Sequence, residues 1–112
     1  MDAPLRLFVY GTLVSEQQLK ALTGRSFPRR PATLHGFARI APPDTYPYVV
    51  PSAGACVHGM VLDDVDAEAL AALDAYEDEG RLYVRRAVEV TVNGESLTCQ
   101  VYVGSAVAAR GS

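Results

Sequence analysis

The sequence predicts an α+β domain in which a small mixed β-sheet curls toward a barrel. Two observations favour this class. Short segments rich in β-branched and aromatic residues alternate with two helical segments, and the last two strands form an antiparallel pair. The 112 residues suit one domain, and a composition of 49% hydrophobic and 21% charged residues is too apolar for a disordered chain.

The first strand and the first helix have clear sequence boundaries. Residues 5–10 form a β-branched and aromatic run that Gly11 ends, which predicts a buried strand followed by a tight turn. Ser15 and Gln18 have the spacing of a capping box, and Gly24 provides a C-terminal stop. A short helix is therefore expected between Ser15 and Gly24.

Prolines and glycines divide the middle of the chain. Residues 25–31, with two prolines and three arginines, predict an exposed connection. Residues 32–41 predict a strand that Gly36 interrupts. Residues 42–47 hold three prolines, each of which removes a hydrogen-bond donor from a sheet, so a loop is expected. Residues 56–62 predict the next strand.

A second helix and a hairpin complete the expected fold. Asp66 is a favourable N-cap for a helix over residues 66–79. Alternating valines on both sides of Asn93 and Gly94 predict a hairpin over residues 88–103 with a type I′ turn. The chain is thus expected to form a single domain over residues 1–104, followed by a frayed tail at 105–112.

Charge and hydropathy exclude several functions. A net charge of −3 leaves no basic surface for a phosphate backbone, so nucleic acid is not an expected partner. The apolar runs are far shorter than the ~20 residues of a spanning helix, and the N-terminus lacks an export signal, so we expect a cytoplasmic protein without a membrane partner. Cys56 and Cys99 are accordingly expected to be reduced thiols. Composition does not predict an oligomeric state.

Glu77 is the acidic residue that the helical pattern places on the apolar face. It lies seven residues after Leu70 and four after Leu73, whereas Asp74 and Asp78 fall toward the edge of that face, where water reaches them. Loss of hydration and the negative end of the helix dipole both raise the pKa of a carboxylate so placed. Such a group suits proton transfer at neutral pH.

Two features of the pattern leave alternatives open. Glu77 could instead turn outward and form an ion pair with Arg81, Arg85 or Arg86. The turn over residues 10–13 could present backbone N–H groups to a carboxylate, or it could be a plain turn. Helical periodicity does not decide whether Glu77 points inward or forms an ion pair. The turn pattern does not decide whether residues 10–13 bind a carboxylate.

Cys56 and His58 share one face of a predicted strand. A thiol nucleophile with its base is one possibility, and a metal site that recruits His35 and Cys99 is another. The spacings match no standard set of zinc ligands, and buried cysteines are usually inert packing residues. No metal is therefore expected.

Five segments together resemble the γ-glutamylcyclotransferase-like family, which includes γ-glutamylamine cyclotransferases and plant avirulence-induced-gene-like proteins. The resemblance covers about residues 7–103. It rests on the segments FVYGTL at 8–13, YP at 46–47, VHGMV at 57–61, LDAYE at 73–77 and YVRR at 83–86.

The resemblance implies a small mixed β-barrel with flanking helices and an enzyme without a cofactor. It implies that Glu77 is the catalytic acid and base. The substrate-binding residues that it implies are Tyr10, Gly11, Thr12, Leu13, Tyr46 and Tyr83.

The implied reaction is intramolecular. The α-amino group of a small γ-glutamyl compound attacks its own γ-carbonyl, which gives 5-oxoproline and a free amine or amino acid. The alternative is a module of the same fold that binds a small carboxylate or a partner protein without catalysis.

Overall fold

Five strands and two helices form the fold of the computed structural model, which describes residues 5–10, 15–40, 43, 48–77 and 83–104. The side chains of Glu77 and Tyr83 are outside this description. In chain order the elements are β1 (Leu5–Val9), α1 (Glu16–Thr23), β2 (Arg29–Ile40), β3 (Tyr48–Val65), α2 (Ala67–Glu77), β4 (Tyr83–Val92) and β5 (Glu95–Gly104).

The strands close into a barrel in the order β1-β3-β2-β4-β5. β1 and β5 are parallel, and the other neighbouring pairs are antiparallel. The α+β class and the mixed barrel are therefore confirmed. No helix in these described ranges is long and apolar enough to cross a membrane. The predicted tail at residues 105–112 lies outside the described residues.

Two hydrophobic clusters hold the barrel together. An interior cluster lies inside the barrel and includes Phe8, Val61 and Val101, whereas a helix-side cluster joins the strands to α1 and α2. Successive strand residues point to opposite faces, so one strand supplies both clusters. The members of the helix-side cluster include Leu7, Leu19, Leu62, Leu73 and Tyr102.

The predicted helix starts are confirmed. Ser15 Oγ accepts a hydrogen bond from the Gln18 backbone N–H at 3.3 Å. Asp66 Oδ1 accepts one from the Ala69 N–H at 2.8 Å. Each bond satisfies a backbone donor that the first helical turn leaves unpaired. Gly24 ends α1 in the left-handed conformation, at φ 78°.

The type I′ hairpin is also confirmed. Asn93 and Gly94 both have positive φ, at 52° and 81°, as this turn requires. Val92 pairs with Glu95 next to the turn, and the ladder continues to the pair Tyr83 and Gly104. The hairpin is therefore longer than the predicted residues 88–103.

Two strands start earlier than predicted. β2 begins at Arg29 within the expected connection, and β3 begins at Tyr48 rather than Cys56. Both extensions contain a proline, at Pro31 and Pro51, which argued against a strand. Each proline pairs with one neighbouring strand only, because β4 joins β2 at Thr33 and Leu34, and β1 joins β3 beyond residue 59. The N–H that proline lacks would face the side without a paired strand, so no hydrogen bond between strands is lost.

An irregularity bends the β2–β3 hairpin. Register passes from the pair His35–Cys56 directly to Phe37–Pro51. Gly36 and Gly54, which lie between these pairs, both have φ of 82°. Side chains with a Cβ rarely adopt this conformation, so glycine permits the bend. Beyond the bend, Val49 is fully buried in the interior cluster and Tyr48 packs on the helix-side cluster.

Gly59 allows β1 to approach β3 closely. A Cβ built at this position collides with the carbonyl oxygen of Val9 and lies 2.8 Å from Cζ of Phe8.

We expect Gly59→Ala to lower the free energy of unfolding by at least about 2 kcal/mol, because the backbone must move to admit the methyl group. Urea denaturation measures the loss.

The matched control is Ala53→Ser, which adds one heavy atom at an exposed position of the same strand. Its stability is expected to stay within about 0.5 kcal/mol of the parent. Equal stability of Gly59→Ala and the parent would contradict the close approach.

Candidate active site

The structure describes some of the predicted site residues and leaves others outside its described ranges. Tyr10 is described in full and is half-buried at the end of β1. Glu77 is the last residue of α2, and Tyr83 is the first residue of β4. The others lie outside the described residues: Gly11, Thr12, Leu13 and Tyr46. The geometry of the site is therefore built from the residues next to them.

Asp74, one helical turn before Glu77, joins α2 to the barrel. Its carboxylate accepts hydrogen bonds from Arg85 Nε at 3.0 Å and Arg85 Nη2 at 3.1 Å, a two-point contact. It accepts a third from the Tyr102 hydroxyl at 2.6 Å. Such charge-assisted bonds are stronger and more directional than neutral ones. They fix the last turn of α2 against β4 and β5.

Tyr102 extends this network to Tyr10. The Tyr10 hydroxyl donates a hydrogen bond of 2.7 Å to the backbone carbonyl of Tyr102. Tyr102 itself is only 3% exposed and belongs to the helix-side cluster. The Tyr10 ring also stacks on Phe8, with ring centroids 6.3 Å apart. The end of β1 is thereby held next to the end of β5.

The neighbours of three of the four predicted site segments meet around Tyr102, and the neighbour of the fourth packs on the same hydrophobic cluster. Tyr10 begins the first segment, Tyr48 follows Tyr46 by two residues, Asp74 precedes Glu77 by one turn, and Arg85 follows Tyr83 by two residues. Tyr10 and Asp74 are each hydrogen-bonded to Tyr102, and Arg85 joins the network through Asp74. Tyr48 packs on the same helix-side cluster as Tyr102. The fold thus brings together segments that are far apart in sequence.

The carboxylate of Asp74 is unsuited to carry protons in a reaction. Three donors occupy it, and only about a quarter of its side chain is exposed. Its oxygens accept hydrogen bonds from the guanidinium of Arg85 and the hydroxyl of Tyr102, which hold the carboxylate in place. Asp74 is best understood as a residue that positions the end of α2.

This network is not predicted by the sequence patterns. Helical periodicity places Asp74 at the water-facing edge of α2, and Arg85 enters there only as an alternative partner for Glu77. One signal was available: Tyr102 alternates with the inward residues of β5, so this large aromatic side chain points out of the barrel. An aromatic residue on an outer strand face indicates that another element covers it.

A cleft opens in the barrel wall between β2 and β4. These strands pair only at Thr33 and Leu34, because the bend at Gly36 turns β2 away. The resulting cleft has a volume of about 430 Å³. Its lining includes the apolar residues Leu34, Phe37, Val88 and Val90 and the charged residues Arg86 and Glu89.

The two cysteines have different environments, and each is a free thiol. Cys99 lies in the interior cluster, and burial raises the pKa of its thiol to about 12. Cys56 is exposed on the outer face. A metal site that combines Cys99 with Cys56 is therefore wrong, because the barrel wall separates them. Within the described ranges no three metal-binding side chains are grouped.

The barrel and its helices define a class of small α+β barrel proteins, and the sequence assigns the family within it. Residues 7–111 match the family described as gamma-glutamyl cyclotransferase, AIG2-like. The chain belongs to this family.

Similar proteins extend the comparison. The AIG2-like protein C of Arabidopsis thaliana is 35% identical over 100 residues, which cover 87% of this chain and 57% of that protein. The chain thus spans little more than half the length of this relative.

Solved structures share the fold. An Arabidopsis thaliana protein aligns with a TM-score of 0.84 and 31% identity, over 92% of this chain and 70% of that one. An AIG2-like protein from Mus musculus aligns with a TM-score of 0.77 and 28% identity, over 93% and 79%. A gamma-glutamyl cyclotransferase aligns with a TM-score of 0.76 over 89% and 66%; at 21% identity the likeness concerns the fold alone.

Asp74→Asn tests the network. The substitution removes the charge that Arg85 faces, and we expect it to lower the free energy of unfolding by about 1–3 kcal/mol. The control is Asp64→Asn, at an exposed residue with φ 60°, a conformation that asparagine tolerates. The control should stay within about 0.5 kcal/mol of the parent in urea denaturation. Equal effects of the two variants would show that the Asp74 contacts contribute no stability.

Proposed function

We propose that the chain catalyses the intramolecular cyclisation of a small γ-glutamyl compound to 5-oxoproline, with release of the free amine or amino acid. Membership of the gamma-glutamyl cyclotransferase, AIG2-like family supports the proposal. The observation that carries it is the hydrogen-bonded network at Tyr102, which joins the neighbours of three of the four site segments.

The reaction needs one bond formed and one broken. The α-amino nitrogen attacks the γ-carbonyl carbon and closes a five-membered ring, and the amide bond to the departing amine then breaks. The attacking nitrogen must lose a proton, and the departing nitrogen must gain one. A single carboxylate placed between the two can transfer it. No cofactor is required for this chemistry.

In the proposed mechanism, Glu77 carries that proton. It ends α2 one turn after Asp74, so the contacts of Asp74 with Arg85 and Tyr102 determine where that helix end lies. Proton transfer depends on heavy-atom distances of about 2.6–3.2 Å, so small displacements of the helix end would cost rate.

The segment that begins at Tyr10 is proposed to hold the glutamyl group. The hydrogen bond from Tyr10 to the Tyr102 carbonyl fixes the start of this segment. Backbone N–H groups of Gly11, Thr12 and Leu13 would then bind the substrate carboxylate or the oxyanion that develops on the carbonyl. Tyr46 and Tyr83 are proposed to line the same pocket.

The cleft between β2 and β4 is proposed to receive the departing amine portion. Arg86 is an exposed residue of β4 that lines this cleft. Arg86 has no ion pair with another described residue. A carboxylate on the departing group would supply that partner.

A substrate panel tests the proposed function. γ-Glutamyl amines, γ-glutamyl amino acids and glutathione are incubated with the protein, and 5-oxoproline is measured by mass spectrometry. Release from at least one class is expected. Tight binding in isothermal titration without release over hours would instead establish the alternative of a binding module. Activity retained in Cys56→Ala would exclude a thiol nucleophile.

Glu77→Gln isolates the proton-transfer step. The amide keeps the size of the side chain but cannot titrate, so we expect the rate of 5-oxoproline formation to fall roughly 10²- to 10⁴-fold. Melting temperature should hold or rise, because a neutral amide costs less to bury than a carboxylate. The control is Glu68→Gln, at an exposed position in the first turn of α2, with activity expected at the parent level. A destabilised but active Glu77→Gln would indicate a structural ion pair instead.

Arg86→Gln tests the cleft. For γ-glutamyl amino acids we expect KM to rise about tenfold or more, because the guanidinium no longer binds the carboxylate. For γ-glutamyl amines without a carboxylate, KM should not change. Arg39→Gln, an exposed arginine of β2, is the control. An equal change of KM for both substrate classes would refute the proposed role.

A further inference from the structure

A second cluster of reactive side chains lies on the outer face of β2 and β3. Cross-strand pairing places Thr33 opposite His58 and His35 opposite Cys56. Residues two apart on a strand share a face, so all four side chains lie on the same side of the sheet. Cys56, His58 and His35 are exposed there. The proposed cyclisation uses none of Thr33, Cys56 and His58, whereas His35 also lines the cleft between β2 and β4.

The contacts within this cluster are arranged as in an activated nucleophile, with a thiol next to an imidazole and the imidazole next to a hydroxyl. Cys56 Sγ lies 4.0 Å from His58 Nε2, and His58 Nδ1 lies 3.2 Å from Thr33 Oγ1. When Nδ1 carries the ring proton and donates a hydrogen bond to the threonine oxygen, the lone pair of Nε2 faces the thiol. The nucleophile therefore contacts its base, and the base contacts a residue that orients it.

We propose that Cys56 and His58 form a thiol–imidazole pair that exchanges with small disulfides at the surface of the barrel. His58 Nε2 takes the proton of the thiol, and the Cys56 sulfur attacks one sulfur of the disulfide. A protein–ligand S–S bond forms and the original S–S bond breaks. The departing thiolate takes the proton from His58. The disulfide is the only co-reactant, and the product is a reversible mixed disulfide.

Cys99 provides an internal comparison. It lies in the barrel interior with 2% exposure, and burial raises the pKa of its thiol to about 12. Only the thiolate attacks disulfides, so this residue is unreactive in the folded protein. One chain therefore contains an accessible thiol beside an imidazole and a shielded thiol without one.

Hydroxyethyl disulfide is the probe for the test, because it carries no charge and no γ-glutamyl group. The folded protein is treated at neutral pH, and peptide mass spectrometry measures the rate of mixed-disulfide formation at each cysteine. Modification of Cys56 and not of Cys99 is expected. In His58→Gln the rate at Cys56 should fall about tenfold, and in Thr33→Val it should fall less.

His35→Gln is the matched control, since it removes an imidazole from the same face but leaves His58 in place. Its rate should stay within about twofold of the parent. An unchanged rate in His58→Gln, or an equal loss in both histidine variants, would overturn the assignment of His58 as the base. Circular dichroism of each variant confirms that it is folded.

The exchange is measured independently of the proposed cyclisation. Cys56→Ser should abolish labelling of the folded protein. Labelling of the parent without 5-oxoproline release would contradict the proposed function alone, and the reverse result would contradict the thiol pair alone.

Discussion

The contact of Asp74 with Arg85 and Tyr102 is the constraint on which the candidate site depends. It joins the last turn of α2, the start of β4 and the end of β5 at one point. Because these elements are linked through residues 78–82 and the hairpin turn, local geometry alone does not fix their distance. Three charge-assisted bonds on a largely shielded carboxylate do fix it. The hydrogen bond from Tyr10 to the Tyr102 carbonyl then adds the end of β1.

The barrel makes this arrangement possible because β1 and the later parts of β3 and β5 bury both faces. Leu7 and Phe8, or Val61 and Leu62, are neighbours in sequence but contribute to different clusters. If the outer face of these strands were polar and exposed to water, α1 and α2 would have no apolar surface to pack on. Tyr102 uses this second face: its ring is buried under the helices, while its hydroxyl and its carbonyl remain available as the two bonding groups of the network.

The sequence predicted the elements with local signals. Ser15, Asp66 and the Asn93–Gly94 turn mark their boundaries through backbone hydrogen bonds or positive φ, which depend on a few neighbouring residues. The early starts of β2 and β3 were missed because proline is tolerated where only one neighbour pairs, and pairing is a property of the barrel. Arg30 likewise suggested an exposed connection, although it binds Asp63 through two bonds of 3.0 and 2.8 Å.

The residues predicted for the candidate site remain predictions. Helical periodicity and family resemblance selected Glu77, whose side chain is outside the described residues. The network around Tyr102 could not be derived, because the partners of Asp74 lie 11 and 28 residues away. Side-chain ion pairs over such distances follow from the register of strands and the position of a helix, which no local pattern encodes.

Strand alternation also gives the two cysteines different environments. Cys99 points into the barrel beside Phe8, and Cys56 points out beside His58. A one-residue shift of β3 would turn Cys56 and the imidazole of His58 into the interior cluster. The uncompensated cost of burying that polar ring selects the observed register. The same hydrophobic pattern that stabilises the barrel therefore keeps the exposed thiol and its base together on the outer face.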